Sequence, residues 1–265
     1  MTGDVQDRYI VPGLERGLRL LQLFTRENRV MTAPELVRQM GLPRSTVFRL
    51  LTTLETLGFI ERVESSHSYR LGMPVLSLGF EYLASLELTE LGTPLLQKLR
   101  DEIGCSCNLV VRNQQDIVYV AKVTAPTLFP SAATLGSRLP AHATVLGRIM
   151  LSDLTDLEFD ALYPRQELDA VTPNTPICRE TLRQMVREDA KRGYATATGF
   201  YEPSISSVAA PVRDHTRRIV AAIGAAIPAN MLEQDQFGDL IQHVISSANE
   251  LSRLLNYSEA ATPDF

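Results

Sequence analysis

Ser45, Arg49, Thr52 and Thr56 recur at spacings of three and four residues, which at about 100° per residue sets them along one side of a helix. Thr46 and Phe48 flank that side. A guanidinium in a row of hydroxyls is chemistry suited to nucleic acid. The planar fork of Arg49 can give two donors to a guanine edge or a phosphate, and hydroxyls can bond to either. Arg44, read as a phosphate contact, together with Arg16 and Arg70 completes the candidate DNA-contacting set. The bland alternative for this side is a solvated helix surface. Other reactive residue types are scattered. Cys105-x-Cys107 lacks the spacing of a redox pair, and the 4 histidines show no metal-ligand pattern. A Ser or Cys nucleophile needs an adjacent base and a strained elbow or helix N-terminus, and no such motif surrounds Cys105, Cys107 or Ser207. His142 reads as a structural residue at a helix start. No catalytic residue, metal or cofactor is expected, and a hydrolase using Ser207 or Cys107 is the alternative from another class.

The recognition side needs an apolar face behind it, and Val47, Leu50, Leu51 and Leu54 supply one on the same helix. Two shorter helical patterns precede it, with stripes Leu14, Leu18, Leu21, Phe24 and Ala33, Leu36, Val37, Met40. Thr32-Ala33-Pro34-Glu35 reads as a capping box with proline in the first turn, and Gly41-Leu42-Pro43 breaks the chain sharply. A tight turn with glycine between two helices is the helix-turn-helix pattern, whose second helix enters the major groove. Residues 59–63, a polar tip at 64–67 and residues 68–71 then read as a β-hairpin, which behind a recognition helix is a wing. Leu20 and Leu23, off the main stripe of the first helix, are candidates for contact between two copies.

Bulk numbers agree with a regulator of this kind once charge is read by segment. The 265 residues suit two domains, and 45% hydrophobic with 22% charged residues places the chain among ordinary globular proteins. The net charge of -5 argues at first against a nucleic-acid partner. Over residues 8–50, however, eight arginines face three glutamates, so a basic head sits on an acidic body. No stretch approaches the roughly 18 apolar residues of a membrane span, and Asp4, Asp7, Arg8 and Glu15 stand where a signal peptide would need an apolar core. A cytoplasmic protein with reduced cysteines and no membrane partner is expected.

Beyond the wing, residues 74–88 and 91–103 have helical periodicity. Short β segments follow at 106–111, 117–123, 194–198, 206–212 and 219–227, mixed with helices at 142–151 and 179–192 and a closing helix from Phe237. That order predicts an α+β domain on an antiparallel sheet. In the last strand Val220, Ala222, Gly224 and Ala226 share a face too small to fill a core, so either another element approaches closely or a ligand cavity is left.

Leu14-Glu15-Arg16-Gly17-Leu18, the run from Leu42 to Leu51, Leu54-Glu55 to Leu57-Gly58-Phe59, and Tyr69-Arg70-Leu71-Gly72 appear in the order of the signatures of IclR regulators. Arg138 to Thr144 with Gly147, Gly193-Tyr194-Ala195, and Ser207 to Val212 followed by Ala221-Ala222-Ile223 resemble that family's GAF-like effector domain. One departure is Glu64 at the wing tip, where a phosphate-touching wing would carry a basic residue. The resemblance implies a DNA-binding domain over residues 9–73, a linker helix over 74–90 that couples effector binding to the heads, and an effector domain over 91–258. It implies dimers or tetramers on an operator, with Val145, Leu146, Ala197, Ile205, Ser207, Gly224 and Ala226 lining the effector site. Family members that bind small ketoacids carry hydroxyls where this chain has Gly224 and Ala226, and an acidic residue in place of Ala197. The expected effector is therefore a small carboxylate of a flatter, more apolar kind, an aromatic acid being the example, held by backbone amides and by Ser204, Ser206 or Ser207. A DNA-binding protein whose second domain only oligomerises is the remaining alternative.

Overall fold

In the computed structural model, which describes residues 10–25, 27–63, 67–84, 87–126, 133–229 and 236–257, the leucine stripes assemble three helices. These are α1 (Pro12–Gln22), α2 (Ala33–Met40) and α3 (Arg44–Thr56). They share a core of Leu20, Phe24, Leu36, Val47, Leu51 and Leu54 with Ile60 and Tyr69. The capping box forms as its residues dictate, because the Thr32 hydroxyl accepts from the Glu35 amide and the Glu35 carboxylate accepts from the Thr32 amide at 2.8 Å. Those bonds hold the Glu35 carboxyl below its ordinary pKa. Gly41 ends α2 in the left-handed region at φ 62°, where glycine carries no steric penalty, and the chain turns directly into α3. The strands β1 (Met31–Thr32), β2 (Ile60–Val63) and β3 (Ser68–Leu71) pair antiparallel in the order β1-β3-β2, so the hairpin behind α3 is a wing on a small sheet. Its tip, with Glu64, lies outside the described residues.

One stripe is corrected. Leu14 and Leu18, expected in the core, are 63% and 52% exposed, while Leu20, expected with Leu23 at a contact between two copies, is fully buried within its own unit; Leu23 is partly buried. Helix α1 is leucine-rich around most of its circumference, so spacing alone could not select the face that meets α3.

The chain divides into two units, residues 1–85 and 86–265, with α4 (Met73–Ala84) in the first and α5 (Glu87–Ile103) opening the second. The second unit is built on a six-stranded sheet. Its strands are β4 (Ser106–Asn113), β5 (Asp116–Val123), β6 (Arg138–Pro140), β7 (Ala195–Thr198), β8 (Ile205–Arg213) and β9 (Ile219–Pro228), all antiparallel in the order β6-β5-β4-β9-β8-β7. Helices α5 and α9 (Gln236–Leu254) cover one face; α6 (Val145–Leu151) lies on the other, backed by α7 (Asp156–Leu162) and α8 (Arg179–Arg192). This is the α+β architecture expected, with α7 and β6 added.

Every residue of α6 is buried. Two bare backbones allow its surroundings to close on it: a Cβ on Gly224 of β9, beneath the helix, would lie 2.8 Å from Leu146 Cδ2, and one on Gly147 would lie 2.2 Å from the carbonyl oxygen of Ala141 in the preceding turn. Arg148, on the same helix, is 3% exposed and pairs through Nε with Asp189 of α8 at 2.7 Å, while its Nη2 reaches the Thr196 carbonyl at 3.3 Å. Asp189, with a fully buried side chain, also takes Arg192. Removing one partner of such a pair strands a buried charge, so Asp189→Ala should destabilise the protein by about 3–5 kcal/mol in urea unfolding.

Candidate functional site

Two surfaces gather the candidate residues, one in each unit. On α3, Arg44, Ser45, Phe48, Arg49 and Thr52 are exposed and Thr46 is partly so, opposite the buried Val47, Leu51 and Leu54. The Thr52 hydroxyl donates to the Phe48 carbonyl at 3.0 Å and Thr53 donates to Arg49 at 2.9 Å, so these hydroxyls reach a partner mainly as acceptors. Phe48, 56% exposed, is an apolar group on an otherwise polar side, suited to contact a thymine methyl. Arg16 is exposed on α1. Arg70 is bound to Glu61, its cross-strand partner in the wing, at 2.9 Å. The pair is exposed, and such pairs are worth about 0–1 kcal/mol, so a phosphate can compete for Arg70 at little cost.

In the second unit a pocket opens between the sheet and the start of α6. The sheet contributes Asn108, Tyr119, Ala197, Ile205, Ser207, Ala225 and Ala226; Thr144, Val145 and Leu146 contribute the helix start. Leu139, Ala133 and the loop residues Phe200, Tyr201 and Glu202 complete the wall. The space open with these side chains at rest is about 50 Å³. At roughly 10–15 Å³ per water, that admits a few water-sized bodies. Among the described residues, helix α6 leaves amides unpaired at its start, beside the pocket. The first helical N–H groups have no acceptor one turn back. Gly147 N is capped by the Thr144 hydroxyl at 3.0 Å and the Thr144 amide donates to Ala141, which leaves Val145 and Leu146. Glu202 is the charged member of the described lining, which includes no arginine, lysine or histidine. Desolvation, then the nearby Glu202, raises the Tyr119 pKa, so its phenol stays protonated.

The pocket thus takes in Val145, Leu146, Ala197, Ile205, Ser207 and Ala226 of the expected lining and leaves out three residues. Gly224 lies beneath Leu146, where it serves close approach. Ser206 alternates with Ser207 and pairs with Ile227 on the opposite face, its hydroxyl 2.8 Å from that of Thr198. Ser204 is exposed in the loop. Of the residues not foreseen, Asn108 had a sequence signal, a lone amide within the apolar run of β4. Phe200, Tyr201 and Glu202 had none, because a loop carries no period.

The rival nucleophiles find no partner chemistry. Burial pushes the Cys107 thiol up to about 12, against the thiolate a nucleophile requires. No histidine lines the described pocket beside Ser207, and His142 Nε2 donates to the Asp169 carbonyl at 2.9 Å. Among the described residues no group of three His, Cys, Asp or Glu could hold a metal, and no helix is long and apolar enough to cross a membrane.

A winged helix-turn-helix with an open recognition face, carried in one chain with a sheet domain that holds a pocket, defines a DNA-binding regulator with a ligand-sensing domain. Residues 13–64 match the IclR helix-turn-helix domain, and residues 80–253 match the bacterial transcriptional regulator IclR C-terminal domain. The acetate operon repressor of Salmonella typhimurium is 31% identical over 254 residues, covering 95% of this chain and 90% of its own. A transcriptional regulator structure from Rhodococcus sp. RHA1 superposes with a TM-score of 0.82 at 31% identity over 93% of this chain and 99% of that one. An IclR homolog from Microbacterium hydrocarbonoxydans, solved in complex with 4-hydroxybenzoate, has the same fold with a TM-score of 0.80 at 23% identity, covering 93% of this chain and all (100%) of that one. The chain belongs to the IclR family of bacterial transcriptional regulators. Its relatives are regulators, and the hydrolase reading of Ser207 or Cys107 falls with that finding.

If Arg49 reads a base, Arg49→Ala should cost about 1–3 kcal/mol of operator affinity and relax sequence preference, whereas Arg44→Ala should weaken all sequences alike and lower the salt slope by about 1. Fluorescence anisotropy on operator and scrambled duplexes separates the two; unchanged operator affinity in both variants would sink the assignment of α3.

Proposed function

We propose that the protein is a cytoplasmic regulator whose operator affinity is set by a small carboxylate bound in the pocket at the start of α6, and that it controls a catabolic operon. The observation that carries this reading is the pair of unpaired amides, of Val145 and Leu146, at the mouth of a pocket with apolar walls. Amides at a helix start favour an anionic oxygen without needing a cationic side chain. Tyr119, Phe200 and Tyr201 in the wall favour a flat ring, and the related structure holding 4-hydroxybenzoate supports an aromatic acid as the effector. Because the resting space is small, a ring enters when Phe200 or Tyr201 swings aside. Residues 74–90 act as the linker between a DNA-binding domain over 9–73 and the effector domain over 91–258.

Paired heads follow from the size of a specific operator, since one recognition helix spans too few bases and dimers read two half-sites about a turn or more apart. The surface we assign to pairing is the apolar groove of α1 and the end of α3, lined by Leu14, Leu18, Leu21, Leu50, Leu57 and Phe59, with about 300 Å³ open. Leu57 is 60% exposed beside the exposed Leu14 and Leu18, a patch a monomeric head would not leave to water. Its occupant is a second copy of the chain, which a two-fold axis can supply with the same leucines.

A thermal-shift panel of aromatic acids, pyruvate and glyoxylate should raise the melting temperature with at least one aromatic acid, and the same acid should change operator affinity. A response confined to pyruvate or glyoxylate would refute the aromatic effector while keeping the carboxylate. Leu18→Glu should weaken head pairing and lower operator affinity by at least about tenfold, read by sedimentation and by gel shift; an intact dimer with unchanged affinity removes the groove from the interface.

A further inference from the structure

Asn108 sits near the middle of β4, next to Gly224 of β9 on one side and Lys122 of β5 on the other. Cross-strand partners share a face, so its amide points to the α6 side of the sheet and into the pocket. It is 3% exposed, and its Oδ1 has no hydrogen-bond partner among the described residues. The neighbours explain why. Gly224 has no side chain to offer, and the Lys122 ammonium donates to the Ala133 carbonyl. Thr198 and Ser206 bond each other on the opposite face. A buried carboxamide without a partner is a lasting penalty in the empty protein, and a ligand that brings a hydrogen-bonding group removes it.

We infer that the effector is an acid that also carries a neutral hydrogen-bonding group, a hydroxyl before all, and that the Asn108 carboxamide bonds it and selects for it. This rests on the reading of the pocket as an acid site: the carboxylate lies on the amides of Val145 and Leu146, and the hydroxyl points inward to the sheet. A second carboxylate is disfavoured at the inner position, because the pocket already includes the Glu202 carboxyl. A site built to bond a hydroxyl discriminates strongly against the analogue that lacks it, since the partner is then left unpaired.

The test uses the whole chain and two matched series in titration calorimetry: lactate against propionate, and 2-, 3- and 4-hydroxybenzoate against benzoate. In at least one series a hydroxy acid should bind at least about tenfold tighter than the parent without the hydroxyl. Asn108→Leu should bring that pair to within about twofold, and Asn108→Thr, which restores a shorter oxygen acceptor, should retain part of the preference. Circular dichroism melting establishes that each variant is folded; if the leucine variant is not, the wild-type ratios and the threonine variant decide. Equal binding of hydroxy acids and parents in both series, or a preference unchanged in Asn108→Leu, overturns the role of Asn108 and leaves the acid site standing. Binding of none of these acids overturns the acid site itself and this inference with it.

Discussion

Helix α6 can lie close on the sheet because Gly224 removes the Cβ atom that would hold Leu146 off, and because Arg148 finds Asp189 on the far side, while Gly147 lets the preceding turn at Ala141 fold against the helix. Much of the second unit follows from that seating. The helix is short and wholly buried, so its polar demands have to be met inside the protein. Thr144 meets one of them, Asp189 another, and among the described residues the amides of Val145 and Leu146 are left without an acceptor beside the pocket. The helix that closes the core on one side therefore opens a polar mouth at its start. Packing and recognition are two ends of one element.

The small residues of β9 serve both ends in alternation. Ala222 packs in the core, Gly224 admits Leu146, and Ala226 two residues on borders empty space. Phe200 ties the pocket wall to the buried pair, since its ring lies 5.0 Å from the Arg148 guanidinium. A ligand that moves Phe200 would disturb the contact that anchors α6, and that is a physical route by which occupancy could alter the unit. In the first unit the corresponding constraint is the leucine core under α3, which keeps Ser45 and Arg49 turned outward.

The sequence made legible what depends on local periodicity and on fixed chemistry. The capping box at Thr32, the turn at Gly41 and the leucine stripe of α3 are each dictated by a few neighbouring residues, and all three appear as read. Strands β4, β5, β8 and β9 could be placed because alternation is a two-residue property. What went astray depended on a partner element: the buried side of α1 is chosen by α3, and Leu20 wins over Leu18 there by geometry that spacing cannot express. Ser206 and Ser207 are equivalent on paper until the register with β7 and β9 decides which faces the cavity.

By itself, then, the chain's residue order determined a winged head with a basic recognition helix, an antiparallel sheet domain behind it and the family to which both belong, because these rest on patterns within short windows. Tertiary structure alone decided that Asn108 is buried with an unanswered acceptor, that Phe200, Tyr201 and Glu202 wall the pocket, and that Gly224 lies under a helix. Those facts arise where segments about a hundred residues apart meet, and hydrogen bonding and close packing at such a meeting depend on positions in space that no local pattern encodes.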